Sequence, residues 1–128
     1  MSVTRKILLV EDDEDQRELM RRTLARQGFE VTAASDGVEG YELALRLRPD
    51  LIITDFYMPA ADGAQLVRRV RDTEELAATP ILVTTGYGTG SAALTLSQGA
   101  DAYEPKPVDP AALLATVRRL LSADGGLM

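Results

Sequence analysis

Five short apolar runs recur along the chain, at residues 6–10, 30–34, 51–54, 81–84 and 102–103, and each is bounded by turn-forming residues. Between them lie stretches whose apolar residues return with helical period. Strand–helix alternation of this kind has one economical solution, a parallel sheet with helices packed on its faces. The first and third runs are almost wholly apolar, as central strands covered on both sides must be. The fifth is short, as expected of an edge strand.

The helical stretches read with unequal clarity. In the first, Leu19, Met20, Thr23 and Leu24 form one face, and Gly28 is expected to close the helix as the residue just past its end. In the second, Val38, Tyr41, Leu45 and Leu47 recur, and Pro49 stops the helix. In the third, Leu66, Val67 and Val70 face inward. The fourth, residues 91–98, is weak. The fifth begins "VDPAAL", with Asp109 as N-cap and Pro110 at the first helical position, and Leu113, Leu114, Val117, Leu120 and Leu121 as its apolar face. The 128 residues are expected to form one domain, 1–128, with a core from about residue 5 to residue 121 and a frayed tail at 122–128.

Composition removes several function classes. The chain has no cysteine and no histidine, so it offers no disulfide, no thiolate or imidazole metal ligand and no imidazole base. The net charge is −6 and there is no basic run, which argues against direct nucleic-acid binding. No stretch of 18 apolar residues exists to span a membrane, and "MSVTRK" lacks the apolar segment of a secretory signal. A cytoplasmic setting is expected.

In an open parallel sheet the chemistry lies beyond the carboxyl ends of the strands. Five consecutive acids, Glu11 to Asp15, follow the first run, and Asp55 follows the third. If these strands are neighbours, Glu11, Asp12 and Asp55 converge. Two carboxylates about 4 Å apart repel by roughly 4 kcal/mol at an effective dielectric of about 20. A hard divalent cation removes that conflict, and Mg²⁺ takes carboxylate, water and phosphate oxygens. Asp13, Glu14 and Asp15 have a milder reading. They open the first helix, where carboxylates favour the positive end of its dipole.

The motifs "ILLVEDDE", "PDLIITDFYMPAADG", "TPILVTTG" and "GADAYEPKP" occur in this order. In order and spacing the chain resembles the receiver domain of bacterial two-component response regulators over roughly Arg5 to Leu121. The resemblance implies a flavodoxin-like, doubly wound, five-stranded parallel sheet of order 2-1-3-4-5 with five helices. It implies a signalling switch, not a metabolic enzyme, with slow self-catalysed phosphorylation and dephosphorylation. Asp55 would accept the phosphoryl group. Glu11, Asp12, Asp55 and the backbone carbonyl of Tyr57 would bind Mg²⁺, with Asp13 at the pocket's edge. Thr85 would be the switch hydroxyl, Tyr103 the switch aromatic, and Lys106 the lysine that touches the phosphoryl group. The bond before Pro107 is often cis in the family. The implied partners are a sensor histidine kinase or a histidine phosphotransfer protein. A downstream protein, or a second copy, would dock on the face of the fourth helix, fifth strand and fifth helix, where Ala92, Ala93, Leu94 and Leu96 carry no charge.

The physical chemistry of these groups suits the role. Carboxylates form acyl phosphates, and phosphoryl transfer asks mainly for positioning and neutralised charge. Gly86 leaves room for the incoming group. Charge-assisted hydrogen bonds from Thr85 and Lys106, at about 1.5–3 kcal/mol each, total about 3–6 kcal/mol. Moving a two-state equilibrium from 1:99 to 99:1 takes about 5.5 kcal/mol. The rim positions Tyr57 and Tyr87 carry large rings with no amide or carboxylate to orient an attacking water, so a long-lived phosphoryl form is expected.

Two other function classes share parts of this pattern. A Mg²⁺-dependent aspartate phosphatase of the haloacid-dehalogenase type wants a D-x-D nucleophile after the first strand and a cap domain, and this chain has "VEDDE" there. A flavodoxin-like FMN carrier wants a Ser/Thr-rich phosphate loop, and five acids would repel that phosphate. Both a stand-alone regulator and a receiver cut from a longer protein fit the sequence.

Overall fold

The computed structural model describes residues 4–56, 63–86 and 96–123. Their elements run β1 (Lys6–Val10), α1 (Glu14–Ala25), β2 (Glu30–Ala34), α2 (Gly37–Leu47), β3 (Leu51–Asp55), α3 (Gly63–Arg71), a 3₁₀ turn (Glu74–Leu76), β4 (Ile81–Thr85), β5 (Ala102–Pro105) and α4 (Pro110–Ala123). The five strands pair in parallel in the order β2-β1-β3-β4-β5, as expected. Four complete α-helices are described where five were expected. The weak stretch at 91–98 lies outside the described residues except at its end, where Leu96 and Ser97 are helical. Among the described residues, no helix is long and apolar enough to cross a membrane.

Alternation along the strands splits the core into two layers. Leu8, Val10, Ile52, Ile81 and Val83 face α2 and α3, against Ala44, Leu66, Val67 and Val70. Ile7, Leu9, Ile53 and Leu82 face α1 and α4, against Met20, Leu24, Leu113 and Val117. Each such side chain contributes about 1.5–3 kcal/mol on burial, so the sheet is fixed from both sides and its carboxyl end is a rigid platform.

Several local expectations change. Leu19 is 62% exposed, so the inward face of α1 is Met20 and Leu24. In α2, Val38 and Leu45 point outward, and the buried residues are Gly37, Gly40 and Ala44. The reason is proximity: a Cβ on Gly40 would stand 2.8 Å from Val10 Cγ2, so this helix lies too close to the sheet for larger residues. Gly28 does adopt a left-handed φ of +93°, but the helix ends at Ala25 with Arg26 as C-cap, which places Gly28 one residue later than expected. The expected ends also move: β3, β4 and β5 run on to Asp55, Thr85 and Pro105, and α4 runs on to Ala123, into the stretch read as tail. The inward residues of α3 are Leu66, Val67 and Val70 as read. Asp109 caps α4 by accepting from Ala112 N at 2.9 Å.

Candidate functional site

The site is a row across the carboxyl end of the sheet. On the α1/α4 face, Leu9, Ile53, Leu82 and Ala102 belong to one apolar layer. Two residues further along each strand, on the same face, stand Glu11, Asp55, Thr84 and Glu104. Asp55 is in register with Thr84, and Thr84 with Glu104. The backbone holds the row firmly, since Glu11 N donates to Ala34 O at 3.0 Å and Phe56 N to Thr84 O at 2.9 Å. A polar row thus continues an apolar layer at the point where the sheet meets its loops.

Glu11, Asp12 and Asp55 each offer a carboxylate oxygen, and these oxygens lie within 4.8 Å of one another. Glu11 is only 1% exposed, Asp55 is buried, and Asp12 is exposed. Burial pushes the Glu11 carboxyl up from its ordinary range, and the Asp13 N–H and the Lys106 ammonium only partly offset it. Asp13 stands apart from this group. Its side chain accepts from Gln16 N at 2.9 Å as the N-cap of α1, and its N–H donates to Glu11 Oε2 at 3.1 Å. The acidic run therefore divides its labour, two residues at the site, one cap, and Glu14 and Asp15 in the first helical turn.

The counter-charge is Lys106. Its ammonium donates to Asp55 Oδ2 at 2.9 Å and sits 3.0 Å from Glu11 Oε1. The aligned hydrogen bond to Glu11 goes to Oε2, at 3.4 Å, and Oε1 accepts none among the described residues, so the Oε1 contact is an ion pair without hydrogen-bond geometry. Burial lowers the lysine's pKa, yet the hydrogen bonds to Asp55 and Glu11 outweigh it and the net direction is upward. Lys106 N is anchored to Thr85 O at 2.8 Å, and the Lys106–Pro107 peptide is cis.

Thr85 is fully buried on the opposite face of β4 from Thr84. Tyr103 is half-buried and in register with Val83, so it shares the Thr85 face. Tyr57 and Tyr87, and Ala92, Ala93 and Leu94, lie outside the described residues. Sequence reading missed Arg17, whose Nη1 donates to Glu11 O at 2.9 Å and lies 3.5 Å from Asp12 O. It tethers the loop that carries both acids. An Arg on a helix that is otherwise surface-charged gives no warning of such a bond. The donor set at the site is all oxygen and partly buried, and Glu11 Oε1 has unused acceptor capacity, which fits a hard divalent cation.

The family model described as "Response regulator receiver domain" matches residues 7–118. The chain belongs to the response regulator receiver family. This receiver domain is 43% identical over 118 residues to response regulator MprA of Mycobacterium leprae (strain TN), covering 91% of this chain and 50% of that protein. It thus spans about half the length of the curated relatives it matches. A putative response regulator from Chloroflexus aurantiacus J-10-fl superposes with a TM-score of 0.90 at 30% identity, over 94% of this chain and 99% of the other. The signal receiver domain of a signal transduction histidine kinase from Syntrophus aciditrophicus superposes at 0.89 with 31% identity, over 98% and 96%. The receiver assignment makes the chain a regulatory domain of phosphorylation-dependent signalling.

Proposed function

We propose that this receiver accepts a phosphoryl group on Asp55 from a histidine kinase or histidine phosphotransfer protein, with Mg²⁺ as cofactor. The observation that carries the reading is the meeting of three carboxylates within 4.8 Å with a lysine bonded to one of them. An Asp55 carboxylate oxygen attacks phosphorus, and the donor's bond to phosphorus breaks with the electron pair leaving on the donor atom. Lys106 holds the Asp55 carboxylate on one side and neutralises charge that gathers on the phosphoryl oxygens. Glu11, Asp12, Asp55 and the Tyr57 carbonyl would hold Mg²⁺, which supplies positive charge to the same oxygens. Asp13 stays a helix cap at the edge of this set. Self-catalysed transfer and hydrolysis are slow in this reading.

The output follows the other face of the sheet. Thr85 turns toward the phosphoryl group, space opens beside it, and Tyr103 moves inward. That exchange links Asp55 to the surface of the 87–98 segment, β5 and α4, where a downstream protein or a second copy docks. The incoming donor reaches Asp55 from the α1 side. A groove of about 520 Å³ opens there beside Lys106, lined by the apolar side chains of Leu19, Met20, Val108 and Leu113.

Acetyl phosphate with Mg²⁺ tests the reading. Intact-mass spectrometry is expected to show one phosphoryl group added with acetate released, and none on Asp55→Asn. Undiminished labelling of the Asn variant overturns the assignment.

A further inference from the structure

Two members of the site row, Thr84 and Glu104, have no role in the scheme above, and Thr84 is the one without a partner among the described residues. Thr84 is 1% exposed, and its Oγ1 finds no hydrogen-bond partner among the described residues. A buried hydroxyl without a partner costs stability, and valine would fill the same strand position without that cost. Its surroundings say what it is for. Thr84 stands in register with Asp55 on one side and Glu104 on the other. Glu104 is already engaged, since Thr116 Oγ1 donates to its Oε2 at 2.5 Å. Lys106 also reaches this end of the sheet. Its backbone is tied to the end of β4 through Thr85 O, and its ammonium ends on Asp55, the register partner of Thr84. The lysine stem therefore crosses the end of β4 on the face that carries the Thr84 side chain.

An ammonium has three N–H donors. Asp55 and Glu11 now take two of them. A divalent cation on the Glu11 carboxylate would repel the nearby ammonium and weaken the contact between Lys106 and Glu11.

We propose that Thr84 is a positioning residue for phosphotransfer: its hydroxyl accepts the Lys106 N–H released from Glu11 and keeps the ammonium beside Asp55. This rests on the reading of Asp55 as phosphoacceptor. Thr84 differs in this from Thr85, which lies on the opposite face. A Thr84 hydroxyl without a hydrogen-bond partner among the described residues is the cost of keeping an acceptor ready for the lysine.

The test compares Thr84→Val and Thr84→Ser with the parent chain. Magnesium affinity is measured by calorimetry, labelling rate with acetyl phosphate at saturating Mg²⁺, and thermal unfolding without metal. The Val variant is expected to bind magnesium more weakly and to be labelled more slowly, each by about tenfold, the scale of one charge-assisted hydrogen bond. Its melting temperature without metal stays level or rises, and Ser restores both functional values. Parent-like magnesium binding in the Val variant, or losses that Ser fails to restore, overturn the proposal. If Val prevents folding, Thr84→Ala carries the same comparison. A parent chain that is never labelled refutes the Asp55 reading instead, and the magnesium measurement still decides the role of Thr84.

Discussion

Lys106 and Glu11 form an ion pair at 3.0 Å in which the carboxylate side chain is 1% exposed and the ammonium side chain 17%. The same ammonium reaches Asp55 at 2.9 Å, so one positive charge serves two buried negative ones. The fold therefore carries excess negative charge at its working end, and that imbalance makes its stability sensitive to what else is present.

Lys106→Met should expose the imbalance. Removing one partner of a buried ion pair costs about 3–5 kcal/mol, and the residual exposure of the lysine places this case toward the lower end. Millimolar Mg²⁺ should return part of the loss to the variant by replacing the missing charge. Urea unfolding with and without MgCl₂ measures both effects. A variant as stable as the parent in metal-free buffer contradicts the account.

Arg17→Ala should loosen the acid-bearing loop without removing any carboxylate. The loss of its bonds to the Glu11 and Asp12 carbonyls is expected to weaken magnesium binding about tenfold, at the lower end of the roughly 10–100-fold range seen when groups that orient metal ligands are removed. Calorimetric titration reads it directly. An unchanged affinity would show that the loop keeps its shape without the tether.

Gly63→Ala and Gly86→Ala should differ sharply. A Cβ on Gly63 would fall 2.1 Å from Asp55 O and 2.7 Å from Phe56 Cα, both backbone atoms. The end of β3 must shift, at about 1–3 kcal/mol or more, and Asp55 labelling should fall with it. At Gly86 the nearest atom is Lys106 Cβ at 4.0 Å, an ordinary contact, so stability should hold. Paired melting curves decide the matter, and a Gly63→Ala variant as stable as the parent would mean that the β3 end adapts freely.

The acid limb of stability should carry a signature from Glu18. Hydrogen bonds from Arg21 and Arg22 lower its carboxyl from 4.5 to about 2. A folded-state value below the unfolded one means that the contribution is complete above pH 4.5 and is lost as pH falls toward 2. Glu18→Gln should flatten that part of the melting-temperature profile. The triad lies at the surface, so added salt should shrink the difference. Parallel profiles for parent and variant between pH 2 and 6 would remove Glu18 from the account.

How far the sequence foretold this differs by feature. Strand positions and the parallel α/β class were legible in apolar runs bounded by turns, whereas the sheet order came from the family resemblance that four motifs carry. Glu11, Asp12, Asp55 and Lys106 were legible as a set because strand ends are where such sheets gather chemistry. The buried faces of α1 and α2 were misread. Periodicity finds an apolar stripe but not what covers it, so Leu19, Val38 and Leu45 were assigned inward while Gly37, Gly40 and Ala44 make the real contact. Thr84 was readable in principle, since alternation from Leu82 puts it on the Asp55 face, but a β-branched residue in a strand looks ordinary until its hydroxyl is found without a partner among the described residues. Arg17 left no trace, because its bonds go to backbone carbonyls.

The pairing of Lys106 with Glu11 joins positions 95 residues apart. This sets an order in time. A growing chain displays its acids from the eleventh residue onward, but the lysine that balances them arrives only after the fifth strand has been made. During synthesis the half-built sheet holds its negative residues without their internal counter-charge. A chain cut anywhere between the third and fifth strands would leave Glu11, Asp12 and Asp55 on one piece and their lysine on the other.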